Sequence, residues 1–368
     1  MLTSADLARY RRQITLAELG VEGQEKLRRA QVLIVGAGGL GSPAALYLAA
    51  AGVGTLGVID DDVVEVSNLH RQIVHGTEDI GRPKAASAAD AVQRLNPFVH
   101  VRAHTERLTH QSARTIFADY DVIVDGCDNY PTRYAVNDAC AGLGKVWIYG
   151  SVERFSGQVS VFGVKDGPCY RCLYPEPPSP GSTASCEEIG VLGAVPGVIG
   201  SLQAVETLKW ITGVGQPLVG RLLQLDLLIG AIRSIEFHRR ADCRACSSRP
   251  TETRSKSGNG ADAVPMEIAP ADLAQKLHEI PTPQLLDVRE PWEWSLARLA
   301  NAQLLQMGEL EQQLNSLDRS RELVIYCHHG VRSAMAAEWL RTQGFQARSL
   351  AGGIDRWSCE IDPSVPRY

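Results

Sequence analysis

The chain has 368 residues, of which 44% are hydrophobic, and a formal net charge of −5 at neutral pH. That length allows two or three domains with ordinary cores, and a negative charge without a dense basic run argues against nucleic acid as the main partner. No apolar stretch reaches the roughly 18 residues of a membrane span, and the N-terminus lacks the apolar core of a secretory signal. We therefore expect a cytoplasmic protein that binds neither membranes nor nucleic acid.

The first elements along the chain predict a nucleotide-binding unit. Residues 32–35 are all aliphatic, which is typical of a parallel strand buried on both faces. A glycine-rich turn at 36–41 and a predicted helix at 43–49 follow, so that backbone N–H groups and the helix dipole can face a phosphate. A second strand, 56–59, ends at Asp60, which lies at the distance expected for a ribose-binding carboxylate.

The residues downstream bear on which nucleotide is bound. A dinucleotide-dependent dehydrogenase is the simplest interpretation of the glycine pattern, but Arg71 and Lys84 add two cations that suit a triphosphate. A later predicted strand, 121–125, leads to Asp128 at the edge where such sheets bind ligands, and this carboxylate is a candidate Mg²⁺ ligand. The alternative is that Asp128 caps the helix that begins near Pro131.

Four cysteines form a second pattern. Cys169 and Cys172 make one Cys-x-x-Cys pair, and Cys243 and Cys246 make another. Together they supply four thiolates, which is a complete tetrahedral shell for a structural Zn²⁺ ion. Disulfides are the alternative, but nine cysteines in a chain without a secretory signal favour a reducing compartment and metal binding.

A boundary follows the second cysteine pair. Small and polar residues without periodicity predict a flexible linker over 249–264, between a first domain at 1–248 and a second at 265–368. In the second domain the predicted strand 323–326 leads to Cys327, on a loop that enters a helix. Backbone N–H groups and Arg332 should favour the thiolate form of Cys327; the alternative is an inert buried cysteine.

Several segments together resemble the MoeB/ThiF adenylyltransferases, relatives of ubiquitin-activating enzymes, over about residues 5 to 250. They are RYRRQI (9–14), GAGGLGS (36–42), SNLHRQ (67–72), CDN (127–129) and CYRC (169–172). The resemblance implies a Rossmann-like α/β fold that binds ATP and Mg²⁺. It places the nucleotide contacts at Gly39, Asp60, Ser67, Asn68, Leu69, His70, Arg71, Lys84, Asp128 and Asn129.

The same resemblance implies two further roles. Arg12 matches an arginine that reaches into the nucleotide site of the partner subunit, which implies a homodimer. Cys186 lies in a Pro-, Gly- and Ser-rich segment that we expect to form a mobile loop over the active site. Its position matches a cysteine that forms a thioester or resolves an acyl disulfide in some relatives; the alternative is a loop cysteine without a covalent role.

The second domain resembles rhodaneses, small α/β sulfurtransferases that carry a persulfide on a loop cysteine. The segments that carry this resemblance are DVRE (287–290), CHHGVR (327–332) and LAGGIDRW (350–357). The short spacing between Cys327 and Arg332 is that of rhodaneses rather than of the related phosphatases. Residues 297–302, ARLANA, depart from the Gly-His-Ile-Pro-Gly-Ala segment usual in the family, so the shape of this loop is open.

An adenylating domain fused to a persulfide carrier resembles the MoeZ-type and eukaryotic molybdenum-cofactor-synthesis fusions. This implies that ATP activates the C-terminal Gly-Gly of a ubiquitin-like sulfur carrier of the MoaD, ThiS or Urm1 type. Sulfur from thiosulfate or a cysteine desulfurase would then pass through Cys327 to give a thiocarboxylate. Two alternatives are a nicotinamide-dependent oxidoreductase with an accessory redox domain and a noncatalytic scaffold for sulfur carriers.

Overall fold

The computed structural model describes residues 2–177, 190–247, 266–311 and 313–367. These residues fall into two compact units. We call residues 2–177 with 190–247 the N-terminal unit and residues 266–367 the C-terminal unit. The predicted linker at 249–264 and Cys186 lie outside the described residues.

The N-terminal unit alternates helices and strands before it ends in consecutive strands. In chain order its described elements are α1 (Ser4–Ile14), α2 (Gly20–Arg29), β1 (Gln31–Val35), α3 (Gly41–Ala51), β2 (Thr55–Ile59), α4 (Lys84–Leu95), β3 (His100–His104), α5 (His110–Ala118), β4 (Val122–Asp125), α6 (Tyr130–Leu143), β5 (Val146–Glu153), β6 (Ser156–Phe162), α7 (Tyr170–Leu173), α8 (Ala194–Thr212), β7 (Arg221–Asp226) and β8 (Ala231–Glu236). Short 3₁₀ turns at Val66–Asn68 and Thr77–Asp79 lie between β2 and α4.

The described strands of this unit form one sheet in the order β3-β2-β1-β4-β5-β6-β7-β8. Strands β1 to β5 pair in parallel, and β5 to β8 pair antiparallel. The chain order reverses at β1, which lies between β2 and β4. In open α/β sheets ligands bind at such a switch point, outside the carboxyl ends of the strands. The topology therefore predicts a ligand site formed by the segments that follow β1, β2 and β4.

Alternate residues of β1 enter different cores. Val32 and Ile34 pack with Leu48 of α3 and Ile199 of α8, whereas Leu33 contributes to the core that contains α5 and α6. Helices thus cover both faces of the parallel strands, which is why these strands are aliphatic throughout. Because these strands are parallel, their carboxyl ends lie at one edge of the sheet.

The C-terminal unit is a smaller α/β domain. Its elements are β9 (Glu267–Ile268), α9 (Pro270–Lys276), β10 (Gln284–Asp287), α10 (Pro291–Leu296), β11 (Gln303–Leu304), β12 (Leu323–Tyr326), α11 (Val331–Thr342), β13 (Ala347–Leu350) and α12 (Gly353–Glu360). The strands form a parallel sheet in the order β11-β10-β12-β13-β9. Leu286 and Ile325 pack on one face, and Leu285 and Val324 on the other.

The predicted fold class, a parallel α/β domain followed by a smaller α/β domain, is confirmed. The predicted strand 323–326 has the bounds of β12, and 56–59 and 121–125 differ from β2 and β4 by one residue. Among the described helices, none is both long enough and apolar enough to cross a bilayer.

Candidate active sites

The glycine turn between β1 and α3 is built around close backbone packing. Gly36 has a φ of +92°, a left-handed conformation that favours glycine. A Cβ atom on Gly36 would lie 2.8 Å from the carbonyl oxygen of Gly126, which follows β4. The turns after β1 and β4 therefore meet at the switch point only because both lack side chains there.

The segment after β2 holds the glycine turn from the side. Asp60 accepts a hydrogen bond from the N–H of Ala37 at 2.7 Å and another from the N–H of Asp62 at 2.9 Å. Burial raises the pKa of Asp60, and the two backbone donors oppose that effect. Asp60 thus lies beside the glycine turn, and its carboxylate already accepts these two backbone hydrogen bonds.

Lys84 begins α4 and is buried, with its ammonium group 2.9 Å from a carboxylate oxygen of Asp62. The ion pair brings the first residue of α4 to the segment that follows β2. Sequence reasoning singled out Lys84 but missed Asp62. The three consecutive aspartates at 60–62 were a signal for this partner.

Arg71 lies over the glycine turn. A Cβ atom on Gly39 would lie 3.6 Å from Cγ of Arg71 and 3.1 Å from Cβ of Pro196 in α8. The guanidinium of Arg71 donates to the Ser67 carbonyl at 3.0 Å and lies 2.8 Å from Nε2 of His70. These contacts bring a partly exposed cation to the turn, and the phosphate contact of Arg71 stays a prediction.

Ser67, Asn68 and Leu69 belong to one 3₁₀ turn and its end. Asn68 is buried, and its side-chain oxygen accepts from the N–H of Glu65 at 3.2 Å. The Ser67 hydroxyl donates to the Glu65 carboxylate at 3.2 Å, and Leu69 closes the turn with a bond to the carbonyl of Val66. The structure thus gives these side chains local roles in shaping the segment that carries Arg71.

Asp128 is exposed just beyond β4. Its carboxylate accepts a hydrogen bond from the side-chain amide of Asn129 at 3.3 Å. Asn129 itself caps α6, because its side-chain oxygen accepts from the N–H of Thr132 at 2.9 Å. The alternative role considered for Asp128, that of helix cap, is therefore performed by Asn129, and the Asp128 carboxylate remains exposed to solvent at the sheet edge.

A buried network that the sequence analysis missed supports this loop. Asp125, fully buried, accepts from the thiol of Cys127 at 2.7 Å and from its N–H at 3.0 Å. The guanidinium of Arg133 pairs with Asp125 and donates to the carbonyl of Cys127 at 3.1 Å. The residue before Asp128 is thus held at its N–H, thiol and carbonyl groups. An Asp three residues before a predicted site carboxylate, with an Arg in the next helix, was the available signal.

Arg12 lies on the exposed side of the last turn of α1. Among the described residues, no hydrogen bond or ion pair joins it to the crevice residues above. The predicted role of Arg12 in a partner subunit therefore stays a prediction.

The four cysteines of the two Cys-x-x-Cys pairs converge. Their sulfur atoms all lie within 4.8 Å of one another, with Cys169 Sγ 3.9 Å from Cys172 Sγ and 3.5 Å from Cys243 Sγ, and Cys172 Sγ 3.5 Å from Cys246 Sγ. All four are free thiols, so the disulfide alternative is wrong. Zn–S bonds of about 2.3 Å in a tetrahedron require sulfur atoms about 3.8 Å apart, and these distances fit that requirement.

The cysteine cluster is tied to α6. Asn137 accepts from the N–H of Tyr170 at 2.9 Å, and Asp138 accepts two bonds from the guanidinium of Arg171, both at 2.7 Å. Tyr170 and Arg171 lie between the first two cysteines. These hydrogen bonds join the segment near residue 170 to α6. A metal at the cluster would also join it to the segment that contains Cys243 and Cys246.

In the C-terminal unit Cys327 follows β12 and is fully buried. Its sulfur accepts from the N–H of Gly330 at 3.2 Å, and the hydroxyl of Ser333 lies 3.5 Å away. Gly330 has a φ of +95°, which turns the loop back around the sulfur before α11 begins. One backbone N–H and one hydroxyl therefore contact the sulfur, and the predicted thiolate form of Cys327 stays a prediction.

Arg332 pairs with a residue that the sequence analysis did not single out. Its guanidinium donates two hydrogen bonds to Glu293 of α10, a bidentate ion pair in which both side chains are largely buried. Burial alone would raise the pKa of Glu293, but the bonds from Arg332 and from the N–H of Glu290 lower it below its ordinary value. The signal for Glu293 was its place three residues after the glutamate of the DVRE segment.

The two histidines of the loop differ in environment. Burial, with a smaller contribution from His329, lowers the pKa of His328 to about 4. The His328 ring is therefore neutral at physiological pH, and the two rings meet edge to face with centroids 4.0 Å apart. A neutral ring packed in this way fills space in the loop that follows Cys327.

Two protein families match the chain, one in the N-terminal unit and one in the C-terminal unit. Residues 10–245 match the ThiF family, and residues 269–360 match the rhodanese-like domain. The first match covers more than half of the chain. The protein class that fold and site define is thus a ThiF-type domain followed by a rhodanese-like domain.

Two relatives match this chain over its full length, and a third matches about two thirds of it. A probable adenylyltransferase/sulfurtransferase MoeZ of Mycobacterium tuberculosis is 41% identical over 385 aligned residues, covering 100% of this chain and 96% of that protein. Adenylyltransferase and sulfurtransferase MOCS3 of Arabidopsis thaliana is 37% identical, covering 100% and 86%. A sulfur carrier protein adenylyltransferase of Thermus thermophilus is 51% identical, covering 68% and 94%.

Among solved structures, that of Escherichia coli MccB matches 68% of this chain and 75% of its own, with a TM-score of 0.60 and 22% identity. At that identity the likeness concerns the fold alone. Together the comparisons show that the chain belongs to the ThiF family and carries a C-terminal rhodanese-like domain. The expected enzyme class, an adenylyltransferase joined to a sulfurtransferase, is confirmed.

Proposed function

We propose that this chain uses ATP to activate the C-terminal carboxylate of a small ubiquitin-like sulfur carrier and then replaces one of its oxygens with sulfur. The observation that carries the proposal is the set of contacts at the sheet switch point. There the glycine turn meets Arg71, the segment after β2 and the turn before Asp128, and Lys84 is paired beside them. The names of the full-length relatives support the same reaction sequence.

Activation is needed because a carboxylate is a poor electrophile. In the proposed first step a carboxylate oxygen of the carrier attacks the α-phosphorus of ATP, and pyrophosphate leaves with its bonding electrons. Arg71 and Lys84 would hold phosphate oxygens, the former as a fork and the latter as a point charge. The remaining proposed nucleotide contacts are Gly39, Asp60, Ser67, Asn68, Leu69, His70 and Asn129.

The residues present fit a Mg²⁺ ion at the end of β4. The carboxylate of Asp128 is exposed there, and the cap of α6 does not occupy it, because Asn129 performs that function. Carboxylate oxygens are ligands that Mg²⁺ prefers. When bound, Mg²⁺ would neutralise charge on the pyrophosphate leaving group.

In the proposed second step, sulfur enters from the C-terminal unit. The thiolate of Cys327 takes sulfane sulfur from thiosulfate, releasing sulfite, or from the persulfide of a cysteine desulfurase. The terminal sulfur of the Cys327 persulfide attacks the carrier carbonyl and AMP leaves, which gives an acyl disulfide. A second thiol then attacks the Cys327 sulfur, so that the carrier departs as a thiocarboxylate and Cys327 remains in a disulfide that thiols reduce.

Several parts of the proposal rest on family resemblance. They are a domain division at 1–248 and 265–368 joined by a linker at 249–264, a carrier that ends in Gly-Gly, a homodimer in which Arg12 enters the partner's nucleotide site, and Cys186 as the resolving thiol. The cysteine cluster is proposed to hold a structural Zn²⁺ ion, which its sulfur spacing supports. The proposed setting for this chemistry is the cytoplasm.

Carrier-dependent exchange of labelled pyrophosphate into ATP tests the first step. We expect exchange only when a carrier with a free Gly-Gly carboxylate is present, and none with a carrier whose C-terminus is amidated. Exchange without a carrier, or none with any Gly-Gly carrier, would contradict the proposal. NAD binding without ATP binding would favour an oxidoreductase, and carrier binding without exchange would favour a scaffold.

A further inference from the structure

His75 is a buried residue to which the reaction above assigns no role. It lies between the two 3₁₀ turns that separate β2 from α4 and is 7% exposed. Its Nε2 atom lies 3.0 Å from the carbonyl oxygen of Ala37, in the glycine turn. Its Nδ1 atom lies 2.8 Å from the hydroxyl of Ser87, in α4. One imidazole therefore bridges the glycine turn and the helix that begins at Lys84.

The peptide groups of Ala37 are held from two directions. The N–H donates to Asp60 at 2.7 Å, and the carbonyl faces His75. Ala37 is 1% exposed, so water does not readily replace either partner. Because an unpaired buried carbonyl is costly, loss of the His75 contact favours rotation of this peptide unit. Such a rotation would redirect the N–H groups of the glycines that follow.

Ser87 links the other side of the ring to the predicted phosphate-binding cation. It lies three residues, about one helical turn, after Lys84. Lys84 is in turn fixed by Asp62 at 2.9 Å. The imidazole therefore couples the position of the glycine turn to that of the first turn of α4.

The Ala37 contact shows which ring nitrogen carries a hydrogen. A carbonyl oxygen only accepts, so Nε2 of His75 carries the hydrogen and donates to Ala37. Burial lowers the pKa of His75, while the hydrogen bond to Ala37 and the charge of Asp79 oppose this effect and Lys84 adds to it. In the neutral ring, Nδ1 is free to accept the hydroxyl hydrogen of Ser87.

We propose that His75 is a positioning residue that holds the carbonyl of Ala37, and with it the phosphate-binding face of the glycine turn, in register with Lys84. The proposal rests on the proposed function in one respect, namely that the turn and Lys84 bind the phosphates of ATP. The chemical determinant is a single N–H donor at the Nε2 position of a neutral side chain.

Two substitutions separate the donor from the bulk of the side chain. In His75→Gln the amide nitrogen is the same number of bonds from the backbone as Nε2, so donation to Ala37 is retained. In His75→Asn the amide nitrogen takes the place of Nδ1, and the carbonyl of Ala37 loses its donor. Full-length wild type and both variants are compared by thermal melting, calorimetric titration with ATP and Mg²⁺, and carrier-dependent pyrophosphate exchange.

We expect His75→Asn to weaken ATP binding about tenfold or more, because it leaves a buried acceptor unpaired. The loss should appear in the KM for ATP more than in kcat, since the turn binds the phosphates before and during reaction. His75→Gln should stay within about threefold of wild type on the same hydrogen-bond argument. If His75→Asn does not fold, His75→Met, whose side chain has a similar length but carries no N–H donor, should still weaken ATP binding.

Hydrogen–deuterium exchange of the nucleotide-free protein tests the inference without relying on the carrier-dependent reaction. Peptides that span residues 32–46 should exchange faster in His75→Asn than in wild type or His75→Gln. Unchanged deuterium exchange together with unchanged ATP affinity in His75→Asn would overturn the inference. Equal losses of ATP affinity in both variants, each with a normal melting temperature, would overturn it as well. A wild-type chain that shows no carrier-dependent exchange would instead contradict the proposed function, while the deuterium measurement would still decide the role of His75.

Discussion

The guanidinium of Arg332 donates two hydrogen bonds to the carboxylate of Glu293, at 2.7 and 2.8 Å. The pair joins the loop that carries Cys327 to α10, which follows the DVRE segment. The positive charge of Arg332, which the sequence predicts near the Cys327 sulfur, is therefore paired with the negative charge of Glu293. The N–H of Gly330 remains as a backbone donor to the sulfur.

We expect Glu293→Gln to destabilise the C-terminal unit by about 1–3 kcal/mol at pH 7, because it leaves a largely buried guanidinium without its counter-charge. The pKa of Glu293 is lowered by this pairing, so its contribution is fully present above the ordinary glutamate range, near 4.5. That contribution is lost as the pH falls through the folded-state pKa. The difference between variant and wild type in urea unfolding should therefore shrink below about pH 4.5.

An exposed ion pair in the same unit provides the control. Glu360 pairs with Arg356 one turn earlier in α12, and both side chains are more than 40% exposed. Glu360→Gln should change the free energy of unfolding by less than about 0.5 kcal/mol. A Glu293→Gln effect no larger than this would mean that the buried pair does not stabilise the unit.

Asp128→Ala should abolish carrier-dependent pyrophosphate exchange while leaving the melting temperature unchanged. The side chain is exposed and does not cap α6, so its removal should cost little stability, whereas the proposed metal ligand is lost. Asp119→Ala, an exposed aspartate at the end of α5, is the matched control and should retain exchange. Near-normal exchange in the Asp128 variant would remove the reason for assigning it the metal.

Mixing two inactive variants tests whether subunits share a site. If Arg12 enters the partner's nucleotide site, Arg12→Ala and Asp128→Ala chains should recover part of the wild-type exchange rate when they are mixed. Recovery is expected because one site of each mixed dimer then contains both wild-type residues. Mixed dimers demonstrated by native mass spectrometry but without recovered activity would count against the sharing.

The purified chain should contain zinc in a one-to-one ratio, measured by elemental analysis. Cys169→Ser and Cys243→Ser should each lose the metal and lower the melting temperature of the N-terminal unit, since each removes one ligand of a four-sulfur shell. Cys140→Ser is the control, because this buried thiol is separate from the cluster and should leave the zinc content unchanged. Full zinc content in Cys169→Ser would contradict the assignment.

The sequence predicted the parallel strands and the cysteine cluster because each depends on local rules. A strand covered on both faces must be aliphatic, as residues 32–35 are, and the spacing of cysteine pairs is diagnostic of metal sites. Partners that come from distant segments were not predictable in the same way. Glu293 meets Arg332 across 39 residues, and His75 meets Ala37 across 38. The place of Glu293 after the DVRE segment was a local signal, but the partner of each group is decided only by the fold that brings the two together.

The central claim, that one chain both activates a carrier and supplies its sulfur, is tested most directly by intact-mass analysis of a Gly-Gly carrier. The carrier is incubated with ATP, Mg²⁺, thiosulfate labelled in its outer sulfur, a thiol reductant and either wild type or Cys327→Ala. Wild type should exchange one carrier oxygen for one labelled sulfur, whereas Cys327→Ala should support pyrophosphate exchange but leave the carrier without sulfur. Labelled thiocarboxylate formed by Cys327→Ala at the wild-type rate would contradict the account.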